Sequence, residues 1–464
     1  MTMLIDELKA IVGAGAWKTD PLELEPNLTE WRGRVFGKTP ILVAPGSTEE
    51  VSRVVCACAA EGVAVVPQGG NTGMCAGAVP DESGNQVILS LERMNRIRDV
   101  DAPNFSMEVE AGCVLQTIQD AARAADRYFP LSLGAEGSCQ IGGNLATNAG
   151  GINVIRYGTA RALVLGLEVV LADGTVLEGL RSLRKDTAGY DLKQLFIGSE
   201  GTLGIITAAT LRLFPNPGET STALLAIRNS GDAVRLLANL RSSLEDHIEA
   251  FELVSEPVFA LVEKYIPGAK LPFDESFPWY VLVEAATGGD TDVLENALLN
   301  AAEASLILDA VIAKNTSEAD RLWKLRESIA EAERHHGSAL KHDISVPTGK
   351  MQDFLARGDT LLSNLLPGAG LLAFGHVGDG NLHYNVTLPR ELTPAEADAA
   401  AEEVTTAIYD LVAEMGGSFS AEHGVGRLKK QYLRRYRAGA EFELMKRLKS
   451  LLDPQHILNP GKVI

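Results

Sequence analysis

Three of the eight histidines fall in two glycine-punctuated strings. Gly375-His-Val-Gly-Asp-Gly-Asn-Leu-His-Tyr-Asn385 carries His376 and His383 on either side of a Gly-Asp-Gly turn, and Ser420-Ala-Glu-His-Gly-Val-Gly426 adds Glu422 and His423. Two imidazoles and one carboxylate, with a fourth position left open, form the donor set of a catalytic Zn²⁺ or Mn²⁺ centre. A lone histidine more often caps a turn or bonds a carbonyl, but three together in loops that expose side chains favour the metal. Asn385 is a hydrogen-bond partner for a substrate or a structural residue after the turn. Two further strings, Leu322-Trp-Lys-Leu-Arg-Glu327 and Lys341-His-Asp-Ile-Ser-Val-Pro347, supply Arg326 and Lys341. Arginine binds a carboxylate through a planar fork and lysine as a point charge. Helical periodicity from Asp320 places Arg326 on the face of Ala330, with Lys341 at the next strand. The plainer alternative for both is a solvated face with ordinary ion pairs.

Two loops must then bring a second partner to such a centre. Pro67-Gln-Gly-Gly-Asn-Thr-Gly-Met-Cys-Ala-Gly77 follows the apolar run Val63 to Val66, and its four glycines let backbone N–H groups turn inward, as a diphosphate requires. Gly134-Ala-Glu-Gly-Ser-Cys-Gln-Ile-Gly-Gly-Asn-Leu-Ala-Thr-Asn-Ala-Gly-Gly151 is a second such loop, able to grip the other side of one ligand. Neither is a nicotinamide-type fingerprint, because no Gly-x-Gly-x-x-Gly precedes a helix with an acid about twenty positions on. No Gly-x-x-x-x-Gly-Lys-Ser/Thr occurs either.

The chain has 464 residues, which predicts two or three domains. Its 42 Lys plus Arg against 61 Asp plus Glu give a net charge of −19, which repels nucleic acid. Acids near Met1 stand where a targeting peptide needs bases, and no apolar run reaches the eighteen or so residues of a membrane span, so a cytoplasmic location is expected. The five cysteines, all in the first third, lack metal-type spacing and are expected to be small, mostly buried thiols. Leu4, Leu8 and Ile11 mark an amphipathic helix, and Ser47-Thr-Glu-Glu50 a capping box for a helix to about Ala60. Strands are predicted around 86–91, 106–110, 163–171 and 203–214, with a hairpin at Asp173-Gly174. Pro215-Asn-Pro-Gly218 breaks the pattern. Beyond it, strands at 222–227 and 280–285 alternate with helices at 232–243 and 292–304, predicting an α+β domain with helices on one face of an antiparallel sheet.

Both loops, together with Phe196-Ile-Gly-Ser-Glu-Gly-Thr-Leu-Gly-Ile-Ile206, resemble the PCMH-type FAD domain of the vanillyl-alcohol-oxidase superfamily. The likeness covers most of the chain. It implies an FAD-binding domain over 37–216 after an N-terminal helical segment (1–36). It further implies a substrate and metal domain over 217–425 and a C-terminal helical segment (426–464) that returns to the FAD domain. The FAD contacts it implies are Pro67, Gly69, Gly70, Asn71, Thr72, Gly73, Met74 and Gly77 in the first loop, and Ser138, Gly142, Gly143, Asn144, Thr147, Asn148, Gly150 and Gly151 in the second. Glu200, Gly201, Gly204 and Ile206 follow from the third string, and Asn459 from the terminal segment. Some members attach the flavin through a histidine where Asn71 stands, so non-covalent FAD is expected. The histidine strings resemble the branch that oxidises D-2-hydroxy acids, D-2-hydroxyglutarate dehydrogenases among them. That likeness makes His376, His383 and Glu422 metal ligands, His423 the base, and Arg326, Lys341 and Asn385 substrate contacts. Lys341 argues for a dicarboxylate, D-2-hydroxyglutarate or D-malate. Ala330 and Leu340 depart from the branch's hydroxyl-bearing and aromatic residues, which weakens that choice; a D-lactate or glycolate dehydrogenase is the alternative, ahead of a non-catalytic flavin subunit. The resemblance also implies an electron-transfer flavoprotein or a quinone as acceptor, and a homodimer is the default for a soluble enzyme of this size.

Overall fold

The computed structural model describes every residue except Ser338, and of Thr291 the backbone alone. The chain forms two compact units: Met1–Gly151, Gly158–Asn216 and Glu422–Ile464 make one, and Ile152–Tyr157 with Pro217–Ala421 make the other. No helix among the described residues is long and apolar enough to cross a membrane.

The first unit rests on two sheets. Val65–Gln68 and Leu42–Val43 run parallel to Val87–Ser90, with the β-branched residues of all three buried. Val65–Gln68 therefore ends rigidly where the first glycine loop begins. The helix Thr48–Ala60 packs with Val51, Val54, Val55 and Cys58 inward. Its start departs from the expected capping box: Ser47 accepts from the Glu50 N–H at 3.2 Å, but the Glu50 carboxylate reaches back to the Gly46 N–H instead. The second sheet is antiparallel, ordered Ile97–Asp101, Ser106–Glu110, Ile205–Arg212, Val164–Val170, Val176–Gly179. The chain's end closes onto the first sheet. Leu458 bridges Val65, and the buried Lys449 ammonium donates to Asp453 and to the carbonyls of Thr202 and Leu458. Cys58, Cys75, Cys113 and Cys139 are buried and Cys56 is exposed; burial pushes the Cys58 thiol up to about 12, which leaves it inert.

The second unit is one antiparallel sheet whose central order is Thr220–Ile227, Trp279–Ala286, Ile248–Ser255, Gly370–His376, Asn381–Thr387. Helices cover both faces, not the one face that alternation predicts. Every residue of Ile248–Ser255 is buried, and both parities of Thr220–Ile227 are apolar and buried after Ser221 and Thr222. On one side Leu224, Tyr280, Leu282, Leu372 and Phe374 pack under Glu256–Tyr265, Thr316–Glu327 and Ile329–His336. On the other, the helix Ser230–Leu244 crosses the sheet. A two-sided core removes the alternation of polar and apolar residues that would mark an exposed face.

Candidate functional site

In the first unit the glycine loops line a cleft. Its walls include Pro67, Gly69, Gly70, Asn71, Thr72, Gly73 and Gly77, then Gly142, Gly143, Asn144 and Thr147, then Glu200, Gly201, Gly204 and Ile206. Glycine is required here by close approach: a Cβ on Gly70 would stand 2.1 Å from the Ser138 carbonyl oxygen. At Gly73 and Gly143 a Cβ would meet nothing, because the space beyond belongs to the cleft. Gln140 contributes a buried carbonyl oxygen without a hydrogen-bond partner among the described residues. Bare backbone, two glycines opening on empty space and an unmet acceptor fit an extended, polar cofactor such as FAD.

Other residues expected in contact support the walls rather than line them. Asn148 accepts from the Arg161 N–H, Met74 meets Arg32, and Ser138 provides the carbonyl against Gly70. Gly151 takes a left-handed φ of 128° beside the Ser132 carbonyl, directly after Gly150. The Asn459 amide donates to the carbonyls of Gly77 (2.9 Å) and Glu200 (2.8 Å), tying two loops together. Gln68, Leu91, Cys139 and Gln140 join the lining and had no distinguishing signal in the sequence.

His423 stands on the rim of the same cleft, and Glu200 explains why. The Glu200 carboxylate accepts from the N–H groups of Val425 (2.7 Å) and Gly426 (2.8 Å), which pins the turn that follows His423. Burial raises the Glu200 pKa, and those two hydrogen bonds oppose the rise. Glu200 is thus a positioning residue whose carboxyl end faces the turn. The Asn71 amide likewise donates to the Thr29 carbonyl at 2.9 Å.

The second unit gathers the histidines. His376 ends one strand and His383 sits in the next, opposite Phe374, so all three side chains share one face. The histidine rings are 5.8 Å apart, centre to centre. Gly375, at φ 152°, allows this hairpin, since a Cβ there would meet the Asn381 carbonyl at 2.6 Å. Across the other strand pair His376 faces Glu252, which is fully buried. Glu252 accepts from His376 Nδ1 at 2.5 Å and from Arg326 at 2.8 Å. An ionised carboxylate only accepts, so the hydrogen of this bond sits on His376 Nδ1. Burial pushes the Glu252 carboxyl up, but His376 and Arg326 outweigh it and hold the group at about 2. The Arg326 guanidinium also lies over the Phe374 ring at 5.0 Å. The chain is held to this strand system as far as Ala421, whose N–H donates to Asp343, the cross-strand partner of His383. Glu422 is the next residue.

Lys341 and Asn385 both bond Glu333, at 2.9 and 2.6 Å. The helix expected to run on from Asp320 stops at Glu327 and restarts at Ile329. Ala330 is consequently exposed and shares no helical face with Arg326; Glu333 turns inward from the second helix together with Ile329 and Ala332. Glu252 and Glu333 carried no motif and were missed.

Comparison with known proteins finds two family matches along the chain. Residues 39–179 match the FAD binding domain and residues 216–463 the C-terminal domain of FAD linked oxidases. The chain belongs to the FAD-linked oxidases. FAD is its cofactor. This FAD-linked oxidase is 41% identical to the D-2-hydroxyglutarate dehydrogenase of Xanthomonas citri pv. viticola, over 98% of this chain and 96% of that one. It is 41% identical to the mitochondrial D-2-hydroxyglutarate dehydrogenase of Bos taurus, over 99% of this chain and 83% of that one. A putative mitochondrial D-lactate dehydrogenase of Schizosaccharomyces pombe is 36% identical over 96% and 86%. Among solved structures, p-cresol methylhydroxylase shares the fold, with a TM-score of 0.78 at 18% identity over 100% of this chain and 96% of that one.

Proposed function

We propose that this FAD-linked oxidase is a metal-assisted D-2-hydroxy-acid dehydrogenase that takes D-2-hydroxyglutarate, and also D-malate, to the 2-oxo acid. One observation carries the reading: in a chain similar over nearly its whole length to D-2-hydroxyglutarate dehydrogenases, two histidines share a sheet face and one of them is oriented by a buried carboxylate that also accepts from a half-buried arginine.

His376, His383 and Glu422 are the ligands. A divalent Zn²⁺ or Mn²⁺ held there would supply a Lewis acid that lowers the pKa of the substrate hydroxyl. Glu252 fixes the His376 ring through Nδ1, so that Nε2 would be the ligating nitrogen. His423 takes the hydroxyl proton as C2 loses hydride; general-base help of this kind is worth roughly 10²- to 10⁴-fold. Bound FAD supplies the hydride acceptor. It is held non-covalently, since the amide at Asn71 offers no nucleophile for a flavin link. Arg326 receives substrate carboxylate, with Lys341 and Asn385 at the far end. Electrons pass on to an electron-transfer flavoprotein or a quinone, and the protein works in the cytoplasm as a homodimer. The similarity to a putative D-lactate dehydrogenase supports a second reading with a shorter acid.

Anaerobic flavin reduction, followed by absorbance, tests this. D-2-hydroxyglutarate should bleach the flavin quickly and the L-enantiomer should not. Equal bleaching by both, or by neither, rejects the reading.

A further inference from the structure

Glu333 is only 3% exposed, on a helix whose neighbouring residues Ala330, Glu331 and Arg334 face outward. One carboxylate oxygen accepts from Lys341 Nζ at 2.9 Å and the other from Asn385 Nδ2 at 2.6 Å. Asn385 is itself 3% exposed and lies two residues from His383 along one strand, on the same face. Two strand residues span roughly 6.6 Å. The Lys341–Glu333–Asn385 group therefore stands about where the far end of a hydroxy acid falls when its 2-hydroxyl is at the histidines. It contains one cation and one anion, and each of its two donor side chains already gives a hydrogen bond to Glu333. A second carboxylate arriving at Lys341 meets Glu333 and makes two anions around one cation; an uncharged far end meets no such repulsion.

We propose that Glu333 is a specificity-determining residue that moderates Lys341, so that the site accepts D-2-hydroxy acids with uncharged far ends alongside the dicarboxylates. This rests on the proposed placement of Lys341 and Asn385 toward the substrate. Lys341 holds a dicarboxylate only by sharing its ammonium with Glu333. Asn385 stays oriented by the same carboxylate whether or not substrate is present.

Wild-type protein loaded with FAD and metal is assayed with D-2-hydroxyglutarate and with D-2-hydroxyvalerate, which has the same number of carbons but a methyl end. The two values of kcat/KM are expected within about ten-fold of each other. Glu333→Gln, which keeps shape and hydrogen-bonding capacity, is expected to raise the dicarboxylate-to-monocarboxylate ratio about ten-fold. In a Lys341→Met background the same change should leave the ratio unmoved. A wild-type preference for the dicarboxylate beyond about a hundred-fold overturns the proposal without any variant. So does a parallel fall for both acids in flavin-replete Glu333→Gln, which would make Glu333 a purely structural support. If no D-2-hydroxy acid reduces the wild-type flavin, the proposed function has failed instead.

Discussion

The flavin cleft and the histidine cluster are built from opposite materials. The cleft is made of backbone: glycines that let chain segments touch, carbonyls held by the Asn459 amide, and few side chains that carry charge toward the ligand. The cluster is made of buried charge, with Glu252 against His376 and Arg326, and Glu333 against Lys341. A backbone cradle gets its precision from steric fit and tolerates no added atom where two segments meet. A charged cluster gets its precision from paired hydrogen bonds, and removing one partner leaves the other buried and unmatched. The two regions should therefore fail differently when perturbed.

The largest effect is expected at the cleft's rim. His423→Ala should lower the rate of flavin reduction by roughly 10²- to 10⁴-fold while flavin content stays normal, measured by rapid-mixing absorbance. Near-normal turnover would remove His423 from the role of base. Next, Gly70→Ala should act through fit alone. Its Cβ would press on the Ser138 carbonyl, and overpacking costs about 1–3 kcal/mol or more, seen as flavin lost on gel filtration. Retention of full flavin would mean that the loops adjust and the steric account is wrong. Glu252→Gln is the matching test of the cluster. Loss of the carboxylate that orients a ligand histidine typically weakens metal roughly 10- to 100-fold, so metal content after dialysis should drop while flavin stays bound. Unchanged metal retention would separate Glu252 from the ligand set.

The smallest effect is one of pH, in the first unit. Burial, with Arg427 nearby, lowers the Lys462 ammonium to about 8 from its ordinary 10.5. Between those values the unfolded chain binds more protons than the folded one, so stability rises with pH across that window. The penalty for burying the charge is fully present below 8. Thermal melts should show Lys462→Met more stable than wild type at pH 7.5 and the gap narrowing by pH 9.5; a gap independent of pH would contradict the lowered value.

How much of this was legible in the sequence differs between the regions for the same physical reason. A loop that grips through backbone must place glycines at fixed local spacing, so Pro67 to Gly77 and Gly142 to Gly151 announce the cleft by themselves. The paired strings around His376, His383 and His423 announce chemistry because glycines isolate them within a few residues. The helix from Asp320 was misjudged at Ser328, since periodicity continues through a break that tertiary packing imposes. The one-faced sheet was misjudged because burial on both faces erases alternation.

By itself the sequence determined the cofactor loops and the α+β class and nominated the proposed ligands and base, all of which depend on residues close together in the chain. Only the tertiary structure decided which carboxylates answer the charges. Glu252 reaches His376 across 124 positions, and Asn385 reaches Glu333 across 52. A buried ion pair is selected by strand register and helix packing, which bring distant residues to hydrogen-bonding distance and leave no local spacing behind.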